Sequence, residues 1–354
     1  LQALLEHDTV AIFIICLALV VVSSFVLSTA LDRVGAWLRF SAGLLGIVTA
    51  LGTDSPEISS AITALTSGNG DVGLGVVLGS NLFNLASLLG LSAVVAGSVR
   101  ARAAVIVFNG GASLAILGVA ALVIWGGVNG AFGLGLMALI FVPYVAISSL
   151  HPRHVEALDL LPGPVRRFLA IAVGSGEQRE ANDEESEANA ADAASAPLAA
   201  IRPATFEALT LVPALVVIVI GSIGMVQSAL VLGSRWHTPK VLIGVLVLAA
   251  LTGIPNAVAA VRLAVRGNGP VVVSEALNSN TLNLVAGIGM PAAVIGLGTV
   301  TRSSALSLVW LIVLTVLVLG LMLRRGTLGR GEGLVVIAAW IAFAAVTIFY
   351  ALAS

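Results

Sequence analysis

Charged side chains are scarce in this sequence. They make up 10% of its 354 residues, against roughly 25% in soluble domains, while 58% of the chain is hydrophobic. With a mean hydropathy of +1.09, the chain has too little charge to cover a water-facing surface, so its solvent is largely lipid. The one cysteine, Cys16, excludes an intramolecular disulfide and a cysteine-built metal cluster. Set in an apolar run, it reads as a packing residue. Histidine is nearly as rare, and His7, His151, His154 and His237 all fall outside the apolar segments. No His-Glu-x-x-His pair occurs, which argues against an intramembrane metalloprotease. No Gly-x-x-x-x-Gly-Lys-Ser/Thr loop occurs either, which argues against ATP as the driving force. No enzyme activity and no cofactor are expected. A net charge of -1 offers little to nucleic acid; the expected partners are membrane lipids and inorganic cations. The chain begins Leu-Gln-Ala with no basic segment, so its first apolar run is expected to be a retained span rather than a signal peptide.

What the sequence has in abundance is long apolar runs. A helix needs about 20 such residues to cross the hydrocarbon core. Ten segments qualify: 9–28, 38–66, 71–97, 101–125, 131–150, 205–227, 239–265, 270–298, 303–323 and 332–352. They are continuous rather than alternating, which excludes a membrane β-barrel. The expected fold is all-α: a polytopic membrane protein of ten transmembrane helices in two inverted five-helix repeats. With the N-terminus outside, the cytoplasmic ends hold Arg33, Arg39, Arg100, Arg102, Arg153, Arg166, Arg167, Arg179, Arg202, Arg262, Arg266, Arg324, Arg325 and Arg330. The outer ends hold only Arg235, Lys240 and Arg302. This is a strong positive-inside bias, with both termini outside the cell membrane. Residues 1–150 form the first repeat, 151–204 a cytoplasmic linker and 205–354 the second repeat. The linker is acidic from Glu177 to Asp192 and lacks aromatic residues there, the composition of a solvated, disordered connection.

Two polar patterns, 199 residues apart, interrupt the apolar background. The first is Thr53-Asp54-Ser55-Pro56-Glu57 with Gly79-Ser80-Asn81-Leu82-Phe83-Asn84. The second is Thr252-Gly253-Ile254-Pro255-Asn256 with Asn278-Ser279-Asn280-Thr281-Leu282-Asn283. Polar groups are expensive at membrane depth, so these are expected to line a shared internal ion site. Five spans, an odd number, separate them, so the second copy is inverted in the membrane. Pro56 and Pro255 are expected to break or kink spans 2 and 7 and expose carbonyls near Gly52, Thr53, Leu251 and Thr252. Val76, Ser80 and Asn84 share one helical face of span 3, as Glu275, Ser279 and Asn283 do on span 8. Asn81 and Asn280 are placed to cross-link the broken helices, and Gly70, Gly73, Gly75 and Gly79 permit close backbone approach. Asp71, after Ser67-Gly68-Asn69-Gly70, reads as an N-terminal helix cap. The expected cation ligands are Thr53, Asp54, Glu57, Ser80, Asn84, Thr252, Asn256, Glu275, Ser279 and Asn283.

These residues resemble the alpha repeats of the sodium/calcium exchanger superfamily. The first repeat matches closely in Gly52-Thr53-x-x-Pro56-Glu57 and Gly79-Ser80-Asn81-Leu82-Phe83-Asn84. The second, Thr252-x-x-Pro255 with Glu275-Ala276-Leu277-x-Ser279-Asn280-x-x-Asn283, is degenerate. The resemblance covers essentially the whole chain and is more specific for fold than for substrate. It implies secondary antiport of calcium against sodium or protons by alternating access. Glu57 would be the first repeat's acid, with spans 1 and 6 sliding across the core. This sequence departs from the pattern at Asn256, where the second repeat usually has an acid, at Asn283, where Asp is common, and at Asp54, usually Ser. Calcium favours six to eight oxygens and normally several carboxylates. Asp54 or Glu275 is therefore a candidate for restoring the missing charge, and grouped carboxylates invite protons as competitors. The alternatives left standing are a monovalent cation/proton antiporter without calcium transport, a channel, a membrane enzyme and a degenerate exchanger kept as sensor or scaffold.

Overall fold

A computed structural model describes residues 2–38, 42–150, 155, 162–174, 204–298 and 300–353. The acidic stretch of the linker and its flanking His151 and His154 lie outside them. The described chain is helical throughout, apart from one three-residue antiparallel ribbon. In chain order the helices are α1 (Gln2–Trp37), α2 (Ala42–Thr66), α3 (Gly70–Asn84), α4 (Ser92–Ala96), α5 (Ala103–Ile124), α6 (Gly130–Ser148) and α7 (Gly163–Val173). They continue as α8 (Ala204–Arg235), α9 (Lys240–Leu242), α10 (Ala249–Val265), α11 (Gly269–Leu284), α12 (Met290–Val294), α13 (Arg302–Arg325) and α14 (Arg330–Ala353). Three π-helical turns, Leu85–Leu91, Ile243–Leu248 and Val285–Gly289, join α3 to α4, α9 to α10 and α11 to α12 without a break. The ribbon pairs β1 (Ser98–Arg100) with β2 (Thr327–Gly329) and ties the loop after α4 to the loop before α14. It was not anticipated by the all-helical reading.

Among the described residues, eight helices are long and apolar enough to cross a membrane. The segments read as spans 2 and 8 correspond to α2 and to the helical stretch 269–294, but neither stands among the eight. The motif residues themselves lower their hydropathy: α2 carries Asp54 and Glu57, and α11 carries Glu275 and three asparagines.

Position in the bundle follows from this division. α3 and α11 lie at the centre, with nearly every residue buried. α1 and α8 pack together at the periphery. The glycines of α8 accept α1 there: a Cβ on Gly221 would meet Val20 at 2.7 Å and one on Gly224 would meet the Cys16 thiol at 2.5 Å. Cys16 is thus a packing residue. The outer faces expose Ile14, Ile15 and Val22 of α1 and Leu209, Val212 and Ile220 of α8, apolar surface that only a lipid-like solvent tolerates. At 36 residues α1 is about 54 Å long, longer than the roughly 30 Å hydrocarbon core.

The prolines do not break their helices. Pro56 lies within α2 and Pro255 within α10, both continuous. At Pro56, hydroxyls take over the carbonyl that the proline strands, one way membrane helices tolerate it. Ser55 Oγ donates to Gly52 O at 2.6 Å, and Ser24 Oγ of α1 reaches the same carbonyl at 3.2 Å. Glycine instead governs the contact between α3 and the π turn before α10. A Cβ on Gly79 would sit 2.8 Å from Val245 Cα, and one on Gly75 3.0 Å from Val245 Cγ2. Asp71 is not the cap of α3. Asn69 holds the cap position and accepts from Lys240 Nζ at 2.9 Å, while Asp71 lies in the first turn, where a carboxylate favours the helix dipole.

Candidate cation site

Four helices bring the motif residues together. α2 supplies Thr53, Asp54 and Glu57; α3 supplies Ser80 and Asn84; α10 supplies Thr252 and Asn256; α11 supplies Ser279 and Asn283. All nine are buried. At the centre is Asp54. Its Oδ1 accepts from Asn256 Nδ2 at 2.7 Å and from Ser279 Oγ at 2.8 Å, so one carboxylate joins α2 to both α10 and α11. Both neighbours donate to this oxygen, which fixes the direction of the chain. Ser279 gives its proton to Asp54, and its oxygen then accepts from Asn84 Nδ2 at 2.9 Å. Asn84, Ser279 and Asn256 all donate into this chain, and the amide oxygens of Asn84 and Asn256 are left over.

A second set of bonds joins α3 to α11. Asn81 Nδ2 donates to Asn280 O at 3.3 Å, and Asn283 Nδ2 donates to Asn81 Oδ1 at 3.2 Å. The expected asparagine cross-link therefore joins the two central helices rather than the proline-bearing pair. Three hydroxyls turn back on their own helices: Thr53 to Ala50 O at 3.1 Å, Thr252 to Leu248 O at 2.9 Å and Ser80 to Val77 O at 3.1 Å. Each keeps its lone pairs. Glu275 is half-buried one turn before Ser279 on α11.

The buried oxygens without a hydrogen-bond partner identify what the site can hold. They include Asp54 Oδ2, both oxygens of Glu57, and the amide oxygens of Asn84, Asn256 and Asn283. All are acceptors, on α2, α3, α10 and α11. Unpaired buried acceptors are costly unless a donor or cation compensates them. Carboxylate, amide and hydroxyl oxygens form the donor set of a hard cation. No three acidic, cysteine or histidine side chains cluster for a metal among the described residues, so neutral oxygens would supply much of the coordination.

Two features escaped the sequence reading. Ser24 of α1 accompanies α2 at the proline turn. A second polar group also couples α5 and α6 to α11: Tyr144 Oη donates to Asn109 Oδ1 at 2.6 Å and lies against the Asn278 amide, while Asn109 Nδ2 reaches Ser274 Oγ at 3.3 Å. An asparagine inside the apolar run 101–125 was the available signal for it.

The chain belongs to the sodium/calcium exchanger protein family, whose model matches residues 9–150 and 206–349. Curated relatives include sodium/potassium/calcium exchanger 4 of Mus musculus and of Homo sapiens. Each is 29% identical over 147 residues, 39% of this chain and 24% of the relative. The match thus spans about a quarter of those proteins' length. Among solved structures, the H+/Ca2+ exchanger CAX aligns over 97% of this chain and 86% of its own, with a TM-score of 0.67 and 12% identity. Native YfkE aligns over 95% and 92%, with a TM-score of 0.62 and 17% identity. The sodium-calcium exchanger NCX_Mj aligns over 96% and 99%, with a TM-score of 0.60 and 18% identity. These likenesses establish the fold, a multi-pass helical membrane protein of the exchanger type.

Proposed function

We propose that this protein exchanges calcium for sodium or protons by alternating access, as a secondary antiporter at the cell membrane. The observation that carries this reading is Asp54, whose carboxylate bridges α2, α10 and α11 while the Glu57 carboxylate one turn away on α2 makes no hydrogen bond to another residue. Thr53, Ser80, Thr252, Asn84, Asn256, Ser279 and Asn283 would complete the oxygen set, with Glu275, one turn before Ser279, as a further acid. One bound ion neutralises the carboxylates that a competing ion needs, and this mutual exclusion couples the two fluxes.

The ten-span, inverted-repeat topology is part of the proposal. α2 and the stretch 269–294 would be the two further spans, giving five in each of 1–150 and 205–354. The constant offset of 199 makes Asn81 the equivalent of Asn280, and these two meet, as residues on a pseudo-two-fold axis would. The basic-residue bias supports both termini outside and the linker in the cytoplasm.

The named ions of the relatives, sodium, potassium, calcium and protons, define the substrates to test. A second reading, monovalent cation/proton exchange without calcium, is favoured by one observation: the amide of Asn256 replaces an acid and turns its donor toward Asp54. Proteoliposomes of the purified chain, given isotopic calcium under an imposed sodium or pH gradient, separate the readings. Gradient-dependent calcium uptake supports the first. Sodium–proton exchange with no calcium flux supports the second, and no flux of any cation refutes both.

A further inference from the structure

An apolar groove of about 590 Å³ opens beside the candidate site, between α10, the π turn after α3, and α14. On α10 its wall is a helical stripe that runs from Ile254 through Val258 to Arg262. Phe83 and Ser87 face it from the α3 side and Trp340 from α14, with the Phe83 and Trp340 rings packed edge to face at 5.7 Å. Arg262 is the one charged residue of the lining, and it is exposed in the last turn of α10. Eight residues separate it from Ile254, so the apolar wall descends about 12 Å from the guanidinium.

The end of the groove marked by Arg262 is the basic end of the molecule. Arg266 lies one turn beyond it, and α11 begins at Gly269, where a Cβ would lie 2.6 Å from Arg100 N. Arg100 belongs to the β1–β2 ribbon, which carries Arg330 alongside. Basic pockets between membrane helices at such a face select anionic head groups.

We infer that this groove is a binding site for one anionic phospholipid, with the phosphate at Arg262 and Arg266 and an acyl chain along Ile254 and Val258 as far as Phe83 and Trp340. A free anion would leave the apolar wall uncovered, and a zwitterionic lipid would gain little from two arginines. Phe83 adjoins Asn84, and its ring lies 2.7 Å from where a Gly253 Cβ would stand, so the chain end would pack against the back wall of the candidate cation site.

Trp340 makes the site measurable without any transport assay, so its failure is separate from failure of the exchanger reading. Full-length protein and its Trp340→Phe variant are reconstituted in phosphatidylcholine vesicles containing either brominated phosphatidylglycerol or the same amount of brominated phosphatidylcholine. The difference signal reports quenching at Trp340. Preferential quenching by the anionic lipid, about tenfold in relative affinity at low salt, is expected. It should fall toward unity in Arg262→Gln/Arg266→Gln and persist in Arg262→Lys/Arg266→Lys. Val258→Phe, which fills the groove and leaves the charges, should reduce quenching by both lipids. Equal quenching by the two lipids in the wild-type chain, or an anionic preference that survives loss of both arginines, overturns the inference.

Discussion

Replacing Glu57 with glutamine removes a negative charge and leaves the shape of the side chain nearly intact. Neither carboxyl oxygen has a hydrogen-bond partner, and the residue is fully buried. A buried, unbonded neutral group costs about 1–3 kcal/mol, whether carboxyl or amide, and an ionised carboxylate there would cost several kcal/mol more. The variant should therefore be as stable as the wild type without ions, or more stable by about 1–3 kcal/mol. With a transported cation at a hundredfold its Kd, the wild type gains about 2.7 kcal/mol, an upward shift in unfolding midpoint of about 4 °C for a chain of this size. Glu57→Gln should lose that shift. The assay is thermal unfolding in detergent, with chelator and then with calcium, sodium or lowered pH in turn. A Glu57→Gln protein that is destabilised without ions, or that keeps the wild-type response to calcium and sodium, would refute the assignment of Glu57 as a ligand.

Asp54→Asn should give the opposite ion-free signature. Two donors converge on its Oδ1, and loss of charge assistance costs about 1 kcal/mol per bond, so the midpoint falls even in chelator; an unchanged midpoint would remove Asp54 from the centre of the network. Gly79→Ala pushes a methyl group into the Val245 backbone and should destabilise by about 1–3 kcal/mol, measured as a lower midpoint with the ion-induced shift preserved. Tyr144→Phe strips the Asn109 and Asn278 side chains of a shared partner. It should cost about 1–3 kcal/mol, again with the ion response intact; a lost response would draw this second polar group into the cation site.

The sequence exposed the site's composition better than its wiring. Burial of Asp54, Glu57, Asn84 and Asn283 was legible because polar residues in an apolar run have nowhere to go but inward. Their pairing was not: that Asp54 would engage Asn256 and Ser279 depends on how three helices cross, which helical periodicity does not encode. The apolar runs gave ten segments, whereas eight of the described helices are apolar enough to count as spans; the other two fall short because the same residues that build the site depress the average. Neither proline interrupts its helix. Proline chemistry forecasts a stranded carbonyl, yet Ser55 and Ser24 were in place to take it, one of them from another helix. The π turns left no recognisable mark in the sequence.

Those π turns have a consequence for how the chain tolerates changes in length. A π turn accommodates one residue more than an α turn over the same rise. Deleting a residue within Leu85–Leu91, Ile243–Leu248 or Val285–Gly289 can therefore be absorbed by relaxation to ordinary α geometry, with the helix on either side kept in phase. Inserting one has no such outlet, and would rotate everything downstream by about 100°. Indel tolerance in this protein is lopsided: at these three places shortening by one is the mild lesion and lengthening by one the severe one.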